Sequence, residues 1–161
     1  MGGDEVHGPR FCINAVFFRQ VMAMAFTVSD FMTRQPCTIG PDDTLRQAAE
    51  QMQAFACRRL PVLEGDRLVG IISDRDVRLA LNSPLVLRER WYDEALLNET
   101  CVHACMTTDV VKVSPDAPLA QAAVLMRDRK IGGLPVVDGG RLVGILSETD
   151  LLDALIQLLE E

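Results

Sequence analysis

Two serine–aspartate pairs carry the chemistry this sequence offers. Ser73-Asp74-Arg75-Asp76 and Ser147-Glu148-Thr149-Asp150 share one spacing, and Ser147 stands 74 residues after Ser73. A hydroxyl and a carboxylate three residues apart meet across one turn of a helix, and that meeting has two uses. As a capping box, the serine accepts from a helix N–H and the acid reaches back. Such a cap contributes about 0.5–2 kcal/mol. As a ligand site, a helix N-terminus offers free N–H groups and the positive end of a dipole, which suit a phosphate. A carboxylate one turn in can accept from two ribose hydroxyls. The serine hydroxyl can donate to a phosphate oxygen while its helix stays capped. Both uses stay open at this level. Gly70 and Gly144, in the runs before each pair, favour the ligand, because glycine weakens a strand unless something must approach its backbone.

The elements that position these pairs are also written twice. A shift of 74 residues aligns Val28–Val77 with Val102–Leu151 without a gap. Roughly 21 of about 50 aligned positions are identical, which makes this an internal repeat. Each copy opens with an extended piece, Cys37-Thr38-Ile39 or Val111-Lys112-Val113, that runs into Pro-Asp. Leu45, Ala48, Ala49, Met52 and Ala56 then fall at helical spacing, as do Leu119, Ala122, Ala123 and Met126. Asp42 to Thr44, and Asp116, supply helix starts. A strand ("RLPVL" or "LPVVD"), a tight turn at Gly65 or Gly139-Gly140, and a second strand ("RLVGII" or "RLVGIL") read as a hairpin. The Ser-x-x-Asp pair then opens a last helix. The predicted fold is α/β (α+β), two β-α-β-β-α repeats packed sheet against sheet with an approximate two-fold axis. A unit of about 50 residues buries too little surface to stand alone. The boundaries are an N-terminal extension at 1–27, repeat one at 28–82, a partly helical linker at 83–101 and repeat two at 102–161.

At this point the chain resembles the CBS domain family in its tandem-pair form. The resemblance covers Val28 to Leu155 and rests on "DFMT" and "ACMT", the two Pro-Asp helices, the two "LPV" runs, and the paired "GIISDRD" and "GILSETD". It implies a regulatory module, not an enzyme, that binds an adenosine ligand in the clefts between repeats: AMP, ADP or ATP ahead of S-adenosylmethionine. Ser73 and Asp76 would form one site, Ser147 and Asp150 the other, with the aspartates on ribose and the serines on phosphate. Thr38-Ile39 or Lys112-Val113, and Leu60-Pro61 or Leu134-Pro135, would border the adenine. The copies differ where a ligand would sit. Arg75 could neutralise a phosphate, whereas its counterpart Thr149 carries no cation. Arg58-Arg59 precede the first "LPV" and Gly132-Gly133 the second, so Gly133 lets a flat base approach. Unequal sites follow, unless the three arginines are simply solvated. The resemblance also implies a homodimer, through the apolar faces of "DVRLALN" and "DLLDALIQLL", and a regulated enzyme or transporter as target. A homodimerisation scaffold with empty clefts is the rival reading.

The remaining features narrow the field. The 161 residues carry a formal charge of −7, so nucleic acid and anionic lipid are not default partners. Five cysteines at irregular spacing read as reduced thiols of a cytoplasmic protein. Cys101-Val102-His103-Ala104-Cys105 holds zinc-like donors, but Cys105 aligns with Phe31 and Cys57 with Ile131, so both read as small core residues. Neither a phosphate-loop nor a dinucleotide glycine fingerprint is present, nor a nucleophile–histidine set. The apolar run before Phe26 is interrupted by Arg19 and Gln20 and is too short to span a bilayer. It reads as a docking helix, or as a start placed too far upstream of Met22 or Met24. Trp91 and Tyr92 read as anchors of the linker helix.

Overall fold

The computed structural model describes residues 26–81 and 90–160. The expectations for residues 1–25, and for the side chains of Trp91 and Tyr92, lie outside the described residues. In chain order the elements are α1 (Val28–Phe31), β1 (Thr33–Arg34), α2 (Leu45–Ala54), β2 (Arg59–Glu64), β3 (Arg67–Ser73), α3 (Asp74–Leu81) and α4 (Arg90–Glu99). A short 3-10 turn (Val102–Ala104) follows, then α5 (Leu119–Arg129), β4 (Gly133–Asp138), β5 (Arg141–Ser147) and α6 (Glu148–Glu160).

The two hairpins are copies in every register. Leu60 faces Ile72 in the first and Leu134 faces Leu146 in the second, and both slip by one residue after Val62 or Val136. Their turns bend at Gly65 and at Gly139-Gly140, all at positive φ, where glycine carries no Cβ penalty. The α2 helix starts as expected, with Thr44 accepting from the Gln47 N–H. The α5 helix starts at Pro118 with no side-chain cap. Asp116 is therefore not its cap, and its own N–H instead bonds to Ser114 Oγ at 3.3 Å. The extended pieces do not form strands. Ile39 and Val113 each make a single parallel bridge, to Val62 and Val136.

The repeats are not self-contained. The lead segment of each crosses to complete the other. Val28 and Met32 are buried with Leu119, Leu134 and Leu146 of the second repeat, and Thr33 pairs with Ile145 on β5. Reciprocally, Val102 is buried with Leu45, Leu60 and Ile72 of the first repeat. Thr107 and Ile71 exchange both backbone hydrogen bonds, at 2.9 and 3.0 Å. The sheets are thus β1-β5-β4 and β2-β3, the latter with Thr107 bridged to its free edge. Each of the two cores draws on both ends of the duplication, which offsets the small size of either repeat.

The crossing also accounts for Gly70 and Gly144. A Cβ on Gly144 would lie 2.6 Å from Met32 Sδ and 3.0 Å from the Thr33 carbonyl, and one on Gly70 would collide with Met106. A methionine of the crossing segment, not a ligand, is what approaches these glycines. Gly144→Ala should therefore destabilise the fold by about 1–3 kcal/mol through overpacking. Gly70→Ala should do likewise. Urea denaturation measures both, and an unchanged midpoint for either would contradict the seating of the crossing methionines.

Candidate ligand cleft

Each serine–aspartate pair sits where an inner strand turns into a helix. Ser73 donates to Asp76 Oδ2 from both N–H (2.8 Å) and Oγ (2.6 Å), and the Asp76 N–H donates to Ser73 Oγ at 3.3 Å. Ser147 and Asp150 repeat the pattern at 2.6, 2.7 and 3.4 Å. Both pairs are reciprocal capping boxes. The first helical N–H of each is also engaged, Asp74 by the Arg58 carbonyl at 3.0 Å and Glu148 by that of Gly132 at 3.2 Å. Fewer free amides remain for an anion than the sequence suggests. Capping uses one carboxylate oxygen only. Oδ1 of Asp76 and of Asp150 makes no hydrogen bond among the described residues, so it retains its acceptor capacity.

A cleft of about 310 Å3 lies beside the first pair, and its walls come from both repeats. Ser73, Arg75 and Asp76 form one side. Val110, Val111, Gly132, Gly133 and Pro135 form the other, with Lys130 and Ile131 beside them. Of the residues singled out in the sequence, this cleft brings together Arg59, Ser73, Arg75, Asp76, Gly132, Gly133 and Pro135. Ser147, Thr149 and Asp150 sit together at the second junction. Ile39, Leu60 and Leu134 are buried in the cores, so only their backbone could face a ligand. Pro61 is buried, Thr38 and Val113 are half-buried, and Lys112 is exposed; none of the four lines the cleft. Thr107, Asp109, Val110, Val111 and Lys130 are among the lining residues that sequence reasoning did not assign to a site. Knowing that lead segments cross would have found them, because it sets the first serine–aspartate pair against the second repeat.

Arg59 occupies the ground expected for a flat base. Its side chain lies over Gly132 and Gly133. A Cβ on Gly132 would fall 2.6 Å from Arg59 Cζ, and one on Gly133 would fall 3.1 Å from Arg59 Cδ. The cleft thus holds three cations, Arg59, Arg75 and Lys130. Among its acids, Asp74 is bonded to Arg78 at 2.9 Å and Asp76 is engaged in its cap. Asp109 also lines the cleft. The charge of Asp76 is felt behind it. Burial pushes the Cys105 thiol up, and the Asp76 carboxylate pushes it further. Cys57 and Cys105 pack against the first core. The four described cysteines are free thiols. No cluster of three metal-binding side chains occurs among the described residues. No described helix is long and apolar enough to cross a membrane.

Two hairpin-and-helix units complete one another around a shared cleft, the arrangement of a paired regulatory module. Residues 28–83 and 102–157 both match the CBS domain, and the chain belongs to that family. It is 40% identical over 139 residues to a CBS domain-containing protein of Dictyostelium discoideum, covering 85% of this chain and 96% of that one. Among solved structures it superimposes on CBSX2 in complex with AMP with a TM-score of 0.70 and 31% identity, covering 83% of this chain and 98% of the other. It also superimposes on the CBS domain pair of protein MJ0100 in complex with 5'-methylthioadenosine and S-adenosyl-L-methionine, with a TM-score of 0.72 and 25% identity, covering 83% and 98%.

The coupling between Asp76 and Cys105 gives a direct check on the cleft. Removing a neighbouring negative charge lowers a thiol's pKa and raises its thiolate fraction. Asp76→Asn should speed alkylation of Cys105 at about pH 8, read by peptide mass spectrometry. Ser73→Ala, which loosens the cap and keeps the charge, should speed it less. Equal rates in all three proteins would show that the carboxylate is not beside the thiol.

Proposed function

We propose that this CBS pair senses an adenine nucleotide and passes the signal on by changing shape or partner affinity. The observation that carries the reading is the shared cleft, in which the Ser73–Asp76 junction of one repeat faces Gly132, Gly133 and Pro135 of the other. Asp76 takes the ribose hydroxyls through Oδ1 while Oδ2 keeps the helix capped. Ser73, Arg75 and Arg59 take the phosphates. Pro135 and the backbone of the Val110–Val111 stretch border the adenine.

The cations favour AMP, ADP or ATP over S-adenosylmethionine, whose sulfonium is itself a cation. CBSX2 with AMP supports the first class, and MJ0100 with S-adenosyl-L-methionine keeps the second as an outcome to be measured. Ser147 and Asp150 form a second, unequal site, flanked by Thr38-Ile39 and Leu60-Pro61. There Thr149 stands in place of Arg75, so a phosphate finds less charge. A ligand that touches both repeats favours whichever conformation holds the cleft closed.

The module works as a homodimer. Leu79 on α3 and Ile156 and Leu159 on α6 are 62%, 51% and 77% exposed. Apolar side chains lined up on helices in this way mark an interaction surface. A target enzyme or transporter reads the dimer's state.

Thermal unfolding with AMP, ATP and S-adenosylmethionine tests the sensor reading. A ligand at about 100 times its Kd adds about 2.7 kcal/mol of stability. The gain should be largest for the nucleotides and should be lost in Asp76→Ala. No shift with any of the three leaves the scaffold reading in its place. The dimer is tested separately. Leu159→Glu should move the protein toward monomer in light scattering, and a wild-type protein that is monomeric at every concentration removes the dimer.

A further inference from the structure

We infer that residues 16–25 dock on α5 and α6 of the second repeat, as the counterpart of the way α4 braces the first. In the first repeat, α4 packs on both α2 and α3. Leu97 reaches the first core, and Arg46 clamps the helix by donating to Asn98 Oδ1 at 2.5 Å and to Glu94. The chain then leaves α4 through a fixed junction. The Leu45 N–H donates to the Thr100 carbonyl at 2.9 Å, and Thr44 bridges Cys101.

The second repeat has the same junction. The Leu119 N–H donates to the Phe26 carbonyl at 2.9 Å, and Thr27 bridges Pro118. Phe26 therefore stands where Thr100 stands, and the chain upstream of it starts from the position that α4 occupies in the first repeat.

The sequence upstream follows the same register. Phe17-Phe18 correspond to Trp91-Tyr92, and Val21-Met22-Ala23 to Ala95-Leu96-Leu97. The clamp changes on both sides at once. Arg46 becomes Ala120, Glu94 becomes Gln20 and Asn98 becomes Met24. A cation held by an acid and an amide is exchanged for a small apolar residue opposite a methionine. On α6 the receiving surface carries an exposed leucine. Leu155 is 50% exposed, whereas its counterpart Leu81 in the first repeat is half-buried. Ile156 and Leu159 lie farther along α6 and stay outside the docked segment. The inference does not depend on any nucleotide being bound.

Rebuilding the clamp in the full chain tests it. Ala120→Arg should lower the thermal midpoint, and adding Gln20→Glu to it should recover most of the loss, because the new pair reproduces Arg46 with Glu94. A double variant no more stable than Ala120→Arg overturns the inference, since residues that do not touch show no such coupling. Hydrogen exchange gives the second readout. Relative to the full chain, a chain beginning at Phe26 should lose protection about tenfold in α5 and α6 while α2 and α3 are unchanged. Equal protection in both chains overturns the inference. So does α5 protection that rises with protein concentration, which would assign the surface to a second copy. Should the shortened chain fail to fold, the coupling measured in the full chain decides.

Discussion

The structure depends on a reciprocal exchange. Val28 and Met32 belong to the first repeat by sequence and to the second by packing, and Val102 does the reverse. A unit of about 50 residues sits near the lower limit for an independent core. Each repeat here closes its core with side chains that the other lends. Backbone pairing follows the same exchange, with Thr33 on β5 and Thr107 on the edge of β3. The exchange also fixes how the inner strands face each other, because each crossing methionine must lie flat on a glycine of the strand it meets.

The cleft is a by-product of that exchange. The residues that lead into the second repeat run past the Ser73–Asp76 junction before they enter their own hairpin. The pocket is therefore walled by two repeats and belongs to neither. A molecule seated in it touches elements whose only covalent link is a long excursion of chain. Such a molecule would sit on the seam between the halves. The caps add rigidity here. Asp76 and Asp150 are held through Oδ2 in a defined rotamer, so the second oxygen is presented at little entropic cost.

Much of this was legible in the residues, because the signals involved are local. The hairpins follow from apolar runs broken by glycine turns, and α2 from its helical spacing and Thr44. The exchange was not legible. Thr33 and Arg34 are both exposed, so they show no alternation, and their partners lie more than a hundred residues away. Gly70 and Gly144 gave the right physical message, a close approach, but the visitor is Met106 or Met32. Gly132 and Gly133 announced space for something flat, and Arg59 fills it. The serine–aspartate spacing could not separate a cap from a receptacle; the cap is formed, and it uses one carboxylate oxygen of each pair. Val110 and Val111 carry no motif, and only the exchange brings them to the cleft.

A single copy of this repeat would expose the seat meant for a lead segment while leaving its own lead segment unseated. Two such half-chains could satisfy each other only by associating. The protein as it stands is that association made permanent, with the chain between Leu81 and Val102 as its tether. A covalent link makes the association intramolecular and so removes its bimolecular cost. Once joined, the halves no longer had to remain identical. Arg59 facing Gly133 across the seam is a mark of that freedom, an asymmetry that a dimer of one repeated chain could not have kept.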